Sequence, residues 1–365
     1  MFNPAPFRYN ELILKENGVT AMKKEALFIG GTGTISMAIT ELIAKRSDEW
    51  HLTVLNRGTR KAELPAGVSE ITVDINVEAA AREALAGKKF DTVCDFIGFV
   101  PAQVERDYRL FKGITKQYMY ISSASAYAKL PASYVITEGT TLANPYWEYS
   151  RNKIACEEFL LKKYREEGYP VTIIRPSHTY DKRAVPLGVH GSKGSYSVLK
   201  RMLEGKPVII HGDGTSLWTM TFNEDFAVGF AGLMGNPHAI GEAFQITNDE
   251  TLTWNQIYQT VANALGVELK PYYVASEFLA AAGPKYDFTG SLIGDKAQSV
   301  VFDNTKLKRA VPEFRPQIHF EEGIRRTVSY VMSHPELQVE DPEFDAWTDR
   351  VIAALEAAKK EIWLG

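Results

Sequence analysis

Ile29-Gly30-Gly31-Thr32-Gly33-Thr34-Ile35-Ser36 is the stretch whose reading decides the fold. Ala26 to Ile29 reads as a first β-strand and Ser36 to Arg46 as a first helix, so this turn leaves a strand tip and opens a helix. A turn in that place needs residues without Cβ, so that backbone N–H groups and the positive end of the helix can approach a pyrophosphate. Gly30 and Gly33 serve that need, and Gly31, Thr32, Thr34 and Ile35 complete the expected phosphate-binding turn. Ser36 stands where the usual fingerprint has its third glycine, and is expected to widen the helix-to-strand packing slightly. The alternative is a merely structural glycine-rich turn, but strand and helix both stand where a dinucleotide site requires them.

Outward from this turn the chain alternates short apolar strands with helical stretches, the pattern of a mostly parallel sheet with helices on both faces. Strands are expected at His51–Leu55, Glu70–Asp74, Thr92–Phe96, Tyr118–Ile121 and Val171–Ile174, which gives six parallel strands by residue 175. Helices are expected at Val77–Ala86 and Tyr149–Glu166. Past Tyr180 the alternation loosens, with a helix at Ser197–Glu204, a strand at Val208–Ile210 and a final helix at Phe344–Ile362 that docks its apolar face on the body. Residues 1–21 have no clear period and are left out of the fold reading, either as a non-native extension with Met22 as the true start or as an ordinary N-terminal arm.

The 365 residues are 45% hydrophobic and 24% charged, a globular composition. Lys plus Arg total 41 against 45 for Asp plus Glu, and the net charge of -4 offers no basic field to collect nucleic acid or anionic lipid. Neither partner is expected. Cys94 and Cys156 sit in apolar or helical patterns and read as reduced core residues, which points to the cytoplasm. No apolar run is long enough to span a membrane. The seven histidines show no ligand spacing, so no metal site is expected.

The second strand ends Leu55-Asn56-Arg57-Gly58, where a site for NAD would carry an acid for the ribose 2′-hydroxyl. Arg57, with Arg60 or Lys61 near it, fits a 2′-phosphate instead, so the expected cofactor is NAD(P) with a tilt toward NADP. Asp74 and Ile75 end the third strand on the adenine side. Phe96-Ile97-Gly98-Phe99 ends the fourth, where the backbone must pass close to the cofactor.

Tyr149-Ser150-Arg151-Asn152-Lys153 puts a phenol and an ammonium on one face of a helix. The spacing alone is cheap, since Tyr108–Lys112 and Tyr196–Lys200 share it. Only Tyr149 opens a helix shortly after a strand that ends in hydroxyls, Ile121-Ser122-Ser123-Ala124-Ser125. An ammonium beside the phenol, together with a positive nicotinamide ring, would lower its pKa and make it a base. Tyr149 is then expected to take the proton of a substrate hydroxyl, Lys153 to tune Tyr149 and hold the nicotinamide ribose, and Ser123 to hydrogen-bond the substrate oxygen.

On these residues, with Tyr127, Arg175-Pro176, His211-Gly212-Asp213-Gly214-Thr215 and Asp225, the chain resembles the extended and atypical short-chain dehydrogenase/reductases, the family of the NAD-dependent epimerases and dehydratases. The resemblance runs from about Lys24 to about Thr260, and weakly to Val331. It implies a Rossmann doubly wound sheet over residues 22–180 and a smaller substrate lobe over 181–343 that returns in part to the sheet, followed by the helix of 344–365. It also implies Ser123, Tyr149 and Lys153 as the catalytic triad, with Ile121, Ser122, Pro176 and His178 at the cofactor. Phe99, Ser125, His178 and Trp218 are expected at the substrate.

Departures narrow what the resemblance implies. The helix after Phe99 reads as short and lacks the asparagine of many relatives, as in the atypical subgroup of the chloroplast stem-loop-binding and isoflavone-reductase-like proteins. A homodimer through it stays open. Ala124-Ser125 replaces the Asp-Glu pair of the sugar-nucleotide dehydratases. Trp218 stands where nucleotide-sugar epimerases carry an arginine; it can stack on a sugar but cannot neutralise a diphosphate. The expected activity is an oxidoreductase or epimerase acting on a secondary hydroxyl of a carbohydrate. The rival is a cofactor-sensing regulator or RNA-binding member, which has no need of an intact triad.

Overall fold

The computed structural model describes residues 22–58 and 63–364; the expected extension at residues 1–21, with Arg60 and Lys61, lies outside them. Seven strands form the central sheet: β1 (Lys24–Ile29), β2 (Trp50–Asn56), β3 (Ser69–Thr72), β4 (Thr92–Asp95), β5 (Tyr118–Ile121), β6 (Val171–Pro176) and β7 (Ala243–Ile246). Their order is β7-β6-β5-β4-β1-β2-β3 and every pairing is parallel. This is the doubly wound α/β sheet expected from the sequence. Its order reverses between β1 and β4, and a crevice opens there beyond the carboxyl ends of the strands. The seventh strand comes from the far side of residue 181, so the chain does return to the sheet.

Both faces of a parallel sheet must be covered, and the strands read accordingly as near-continuous apolar runs. On one face α1 (Ser36–Lys45) packs with Phe226, Phe230 and Leu233 of a later helix, Asn223–Leu233, over Phe28, Val54 and Met119. On the other, α2 (Glu78–Ala84), α3 (Pro101–Phe111) and α4 (Glu148–Glu167) cover Leu27, Ile29, Tyr118 and Ile173. Gly168, at φ +67°, ends α4 in the left-handed conformation that glycine accepts best. The helix after Phe99, which reads as short against the resemblance, runs eleven residues; Pro101 opens it and the Gln103 side chain accepts from the N–H groups of Phe99 and Val100.

A third apolar cluster lies outside the sheet, built around Trp218, Trp254, Tyr258, Phe288 and Phe320. Its strands are two to four residues long and pair only in twos, including Val208–His211 with Pro271–Val274 and His178–Tyr180 with Met220–Phe222. The terminal helix, Pro342–Leu364, docks here: Phe344 and Trp347 are buried, and the buried Arg201 reaches Asp345 and Asp349 at 2.6 and 2.7 Å. Among the described residues no helix is long and apolar enough to cross a membrane.

Candidate active site

One cleft of about 740 Å³ follows the carboxyl ends of β1 to β6 and is roofed by segments of the third cluster. At its first wall Gly30 has φ +83°, and a Cβ there would lie 2.5 Å from the Ile97 side chain, so only glycine fits without strain. Ser36 does more than replace a glycine. Its Oγ donates to the Gly30 carbonyl and accepts from the Gly33 N–H, both at 2.8 Å, which ties the two ends of the turn together. Thr32, Gly33, Thr34 and Ile35 line the cleft at the amino end of α1. Gly31 does not: a Cβ there would lie 3.0 Å from the Val54 side chain, and its carbonyl accepts from Thr40 Oγ1 at 2.7 Å, so it sets helix-to-sheet packing.

At the end of β2, Asn56 and an exposed Arg57 line the cleft, and no carboxylate ends that strand. Asp74 and Ile75 line it from the third strand's tip, Asp74 accepting from the N–H and the side chain of Asn76 at 3.0 and 2.9 Å. The end of β4 is organised by a residue that sequence reading passed over. Asp95 is fully buried, and its Oδ1 accepts from the N–H groups of Ile97 and Gly98, each at 2.9 Å, while Oδ2 accepts from the Tyr118 hydroxyl at 3.0 Å. An acid closing the apolar run Thr92-Val93-Cys94-Asp95 was the available signal. Phe96, Ile97 and Phe99 therefore face the cleft, whereas Gly98 contributes its carbonyl from behind.

Beyond β5, Ile121, Ser122, Ser123 and Ser125 line the cleft opposite Tyr149 and Lys153 of α4. Three hydroxyls form a short row: Ser150 Oγ donates to Ser125 Oγ at 2.7 Å, and Ser125 Oγ stands 2.9 Å from Ser123 Oγ. The Ser125 N–H also donates to Ser123 Oγ, at 3.1 Å. With its acceptor side occupied from behind, the Ser123 proton is free to point into the cleft. Lys153 Nζ donates to the carbonyls of Gly98 and Ile121, both at 2.7 Å, and stands 4.8 Å from the Phe99 ring centre and 5.7 Å from that of Tyr149.

The charges differ from the sequence expectation in one respect. Burial draws the Lys153 ammonium down to about 8, the Asp95 carboxylate opposing. Burial also pushes the Tyr149 phenol up to about 12, with the Ser123 hydroxyl pulling the other way and Asp295 adding to the rise. Lys153 is thus occupied by two carbonyls and does not by itself bring the phenol down. The other two Tyr–Lys spacings lie off the cleft: Tyr108 and Lys112 meet Glu167 on the surface, and Lys200 pairs with Glu340.

After β6, Pro176, Ser177, His178 and Thr179 complete the floor. Arg175 is turned away into a buried pair with Glu157 at 2.6 Å. Burial, then the positive Lys296 and the neighbouring His190, hold His178 at about 3 and so neutral. Trp218 lines the far end, packed 6.0 Å from Trp254, its buried Nε1–H without a partner. Sequence reading missed three further side chains there, Lys129, Trp147 and Asp295. Asp295 arrives on a π-helical segment, Thr289–Lys296, which Asn144 anchors through the Gly294 carbonyl at 2.7 Å. Nothing in local periodicity announces such a segment. No group of three or more potential metal-ligating side chains converges among the described residues.

A parallel sheet whose strand order reverses over a glycine turn, with a tyrosine and a lysine from one helix facing strand-end serines, belongs to the nicotinamide-dependent α/β enzymes. The chain is a member of the NAD dependent epimerase/dehydratase family, whose model matches residues 26–247. It is 25% identical over 289 residues to the 2'-dehydrokanamycin reductase of Streptomyces kanamyceticus, covering 79% of each chain. It is 23% identical to the chloroplast stem-loop binding protein of 41 kDa b of Arabidopsis thaliana, over 67% of this chain and 64% of that one. Among solved structures the fold is similar to epimerase Mth375 of Methanothermobacter thermautotrophicus, with a TM-score of 0.69 at 17% identity over 87% of this chain and 94% of the other. A UDP-glucuronic acid 4-epimerase from Bacillus cereus gives a TM-score of 0.67 at 18% identity, over 85% and 99%.

Proposed function

We propose that the protein is an NAD(P)-dependent oxidoreductase or epimerase that acts on a secondary hydroxyl, or the matching ketone, of a sugar derivative. The observation that carries this reading is the convergence of Ser123, Tyr149 and Lys153 at one end of a cleft whose other end is the Gly30 turn. The Gly30 cradle is a space that a Cβ would fill, and beside it the first N–H groups of α1 suit a pyrophosphate. When bound, the nicotinamide supplies the hydride acceptor or donor. Lys153 would hold its ribose, and Phe96 and Ile97 line the same stretch of the cleft.

Ser123 donates to the substrate oxygen while Tyr149 removes the hydroxyl proton, or returns it in the reductive direction. The phenol of the chain alone is high, at about 12; a bound oxidised nicotinamide would add the positive charge that favours phenolate, beside the Lys153 ammonium 5.7 Å from the Tyr149 ring. Tyr149→Phe is expected to lower turnover about 10²- to 10⁴-fold with cofactor affinity retained, read as formation or loss of reduced nicotinamide on a panel of sugars and keto-sugars. Unchanged turnover would sink the assignment.

The cofactor reading goes further, to NADP over NAD, because Arg57 and no carboxylate ends β2 beside the cleft. Arg57→Ala is expected to weaken NADP binding about tenfold, a loss of about 1.4 kcal/mol, and to leave NAD almost unmoved; equal weakening of both would count against it. The two buried free thiols, Cys94 and Cys156, support a reducing compartment, the cytoplasm.

A further inference from the structure

Trp218 leaves the far end of the cleft without the arginine that the sequence comparison led one to seek, yet that end is not short of positive charge. The Lys129 side chain is 3% exposed, lines the cleft, and has a single charged partner, Asp295 Oδ1, at 3.5 Å. Lys296, 10% exposed, reaches the other oxygen of the same carboxylate at 3.6 Å and the Ser291 carbonyl at 3.3 Å. Charge-assisted contacts of this type close to about 2.7–2.9 Å when they are well made. Two ammoniums, with three donors each, therefore share one carboxylate at long range.

The surroundings do not make up the deficit. Among the described residues Asp295 is the only carboxylate lining this end, the other acid of the cleft, Asp74, being at the tip of β3. His178, His190 and His211 are all held below their ordinary values by burial and by Lys296, so they add no charge and offer no anion. The other polar groups of this wall carry no charge: the hydroxyls of Ser123, Tyr149, Ser177 and Thr179, which both donate and accept, and the Nε1–H of Trp218, which has no partner. Two ammoniums that share one carboxylate at long range, the Lys129 one drawn below the usual lysine value by burial, leave donors for an acceptor-rich negative group, which would also favour the charged form of Lys129.

We propose that Lys129, backed by Lys296 and oriented by Asp295, binds an anionic group on the substrate, so that the sugar is a carboxylated or phosphorylated one and not an amino sugar. This rests on the reading of the cleft as a sugar oxidoreductase site and names its substrate class. Position 218 then stacks on the sugar, and the charge that recognises its anionic group comes from the loop after β5 and from the π-helical segment on the opposite wall.

The test is calorimetric titration of the full chain, saturated with NAD or NADP, with D-glucuronate, D-glucose 6-phosphate, D-glucose and D-glucosamine. At least one anionic sugar is expected to bind about tenfold or more tightly than glucose, with glucosamine weakest; which anion wins separates carboxylate from phosphate. Lys129→Gln is expected to remove about tenfold of that affinity while cofactor affinity, the check on folding, stays unchanged, and Lys129→Arg to restore most of it. Glucose or glucosamine binding as tightly as both anions, no binding of either anion at millimolar concentration, or an unaffected Lys129→Gln protein would overturn the proposal. Should Lys129→Gln fail to fold, the wild-type order of the four sugars decides alone. Failure to bind either dinucleotide would instead overturn the oxidoreductase reading itself.

Discussion

The two ends of the cleft are built on opposite plans. At the Gly30 end the turns are held by side chains that bond back to the backbone: Ser36 to the Gly30 carbonyl and the Gly33 N–H, Thr40 to the Gly31 carbonyl, Asp95 to the Ile97 and Gly98 N–H groups. At the substrate end the surface is side chain, contributed by stretches near residues 123, 149, 178, 218 and 295, and partners are long or missing. Lys129 meets Asp295 only at 3.5 Å, and Trp218 Nε1 and Thr179 Oγ1 have none. The first end is a shape that is complete in itself. The second is a set of donors and charges that a ligand completes, the place where members of one fold diverge in substrate.

If that contrast is right, the largest effect of a single methyl group falls at the self-completed end. Gly30→Ala adds a Cβ at φ +83° and 2.5 Å from Ile97. Left-handed backbone at an alanine costs about 1–2 kcal/mol and a forced contact about 1–3 more, so a loss of roughly 2–5 kcal/mol in urea unfolding is expected, with dinucleotide affinity falling in step. A variant as stable as the wild type that also binds NAD(P) normally would show that the turn is not a pre-formed shape.

The same contrast explains what sequence could reveal. The turn at Gly30, six of the seven parallel strands and the Tyr149–Lys153 face follow from local order and short spacing; the seventh strand, Ala243–Ile246, was not read because the alternation loosens past Tyr180. Asp95 was legible in principle as an acid closing a buried strand. Lys129 and Asp295 were not, because 166 residues separate them and the π-helical segment that brings Asp295 in has no periodic signature. The hydroxyl row Ser123–Ser125–Ser150 was half visible: Ser123 and Ser125 follow the strand end, but Ser150 joins them only once α4 packs.

Acid sharpens the comparison next. His211 is 1% exposed, packs edge-on to Trp254 at 4.9 Å, and burial, with the positive Lys296, draws it down to about 4. A neutral imidazole in the fold and an ordinary one in the unfolded chain mean that the unfolded state binds the extra proton first. The stability contribution is complete above about pH 6.5 and is lost as pH falls toward about 4, worth on the order of 1–3 kcal/mol. His190 and His178 shift in the same direction, so this lobe should loosen before the sheet does. His211→Phe keeps a ring and removes the titration; its urea unfolding free energy is expected to fall less between about pH 7 and about pH 4.5 than that of the wild type. Identical acid slopes for the two proteins would mean that His211 is protonated in the fold and that the substrate end is wetter than its burial implies.

The smallest effect tests where the two plans meet. Ser150 is fully buried and touches no part of the cleft, yet its hydroxyl donates to Ser125, which flanks Ser123. Ser150→Ala removes one buried hydrogen bond, about 0.5–1.5 kcal/mol of stability, and leaves Ser125 free to take the Ser123 proton as its acceptor. Ser123 would then spend its donor backward and offer the substrate oxygen a lone pair. The expected signature is a fall of a few-fold in kcat with KM for the cofactor unchanged, since nothing at the Gly30 end is linked to this row. Ser150→Thr, which keeps the hydroxyl, should recover the rate. A stability loss of the same size with kcat untouched would make the row a packing feature, and would leave Ser123 oriented by its backbone neighbour, the Ser125 N–H, alone.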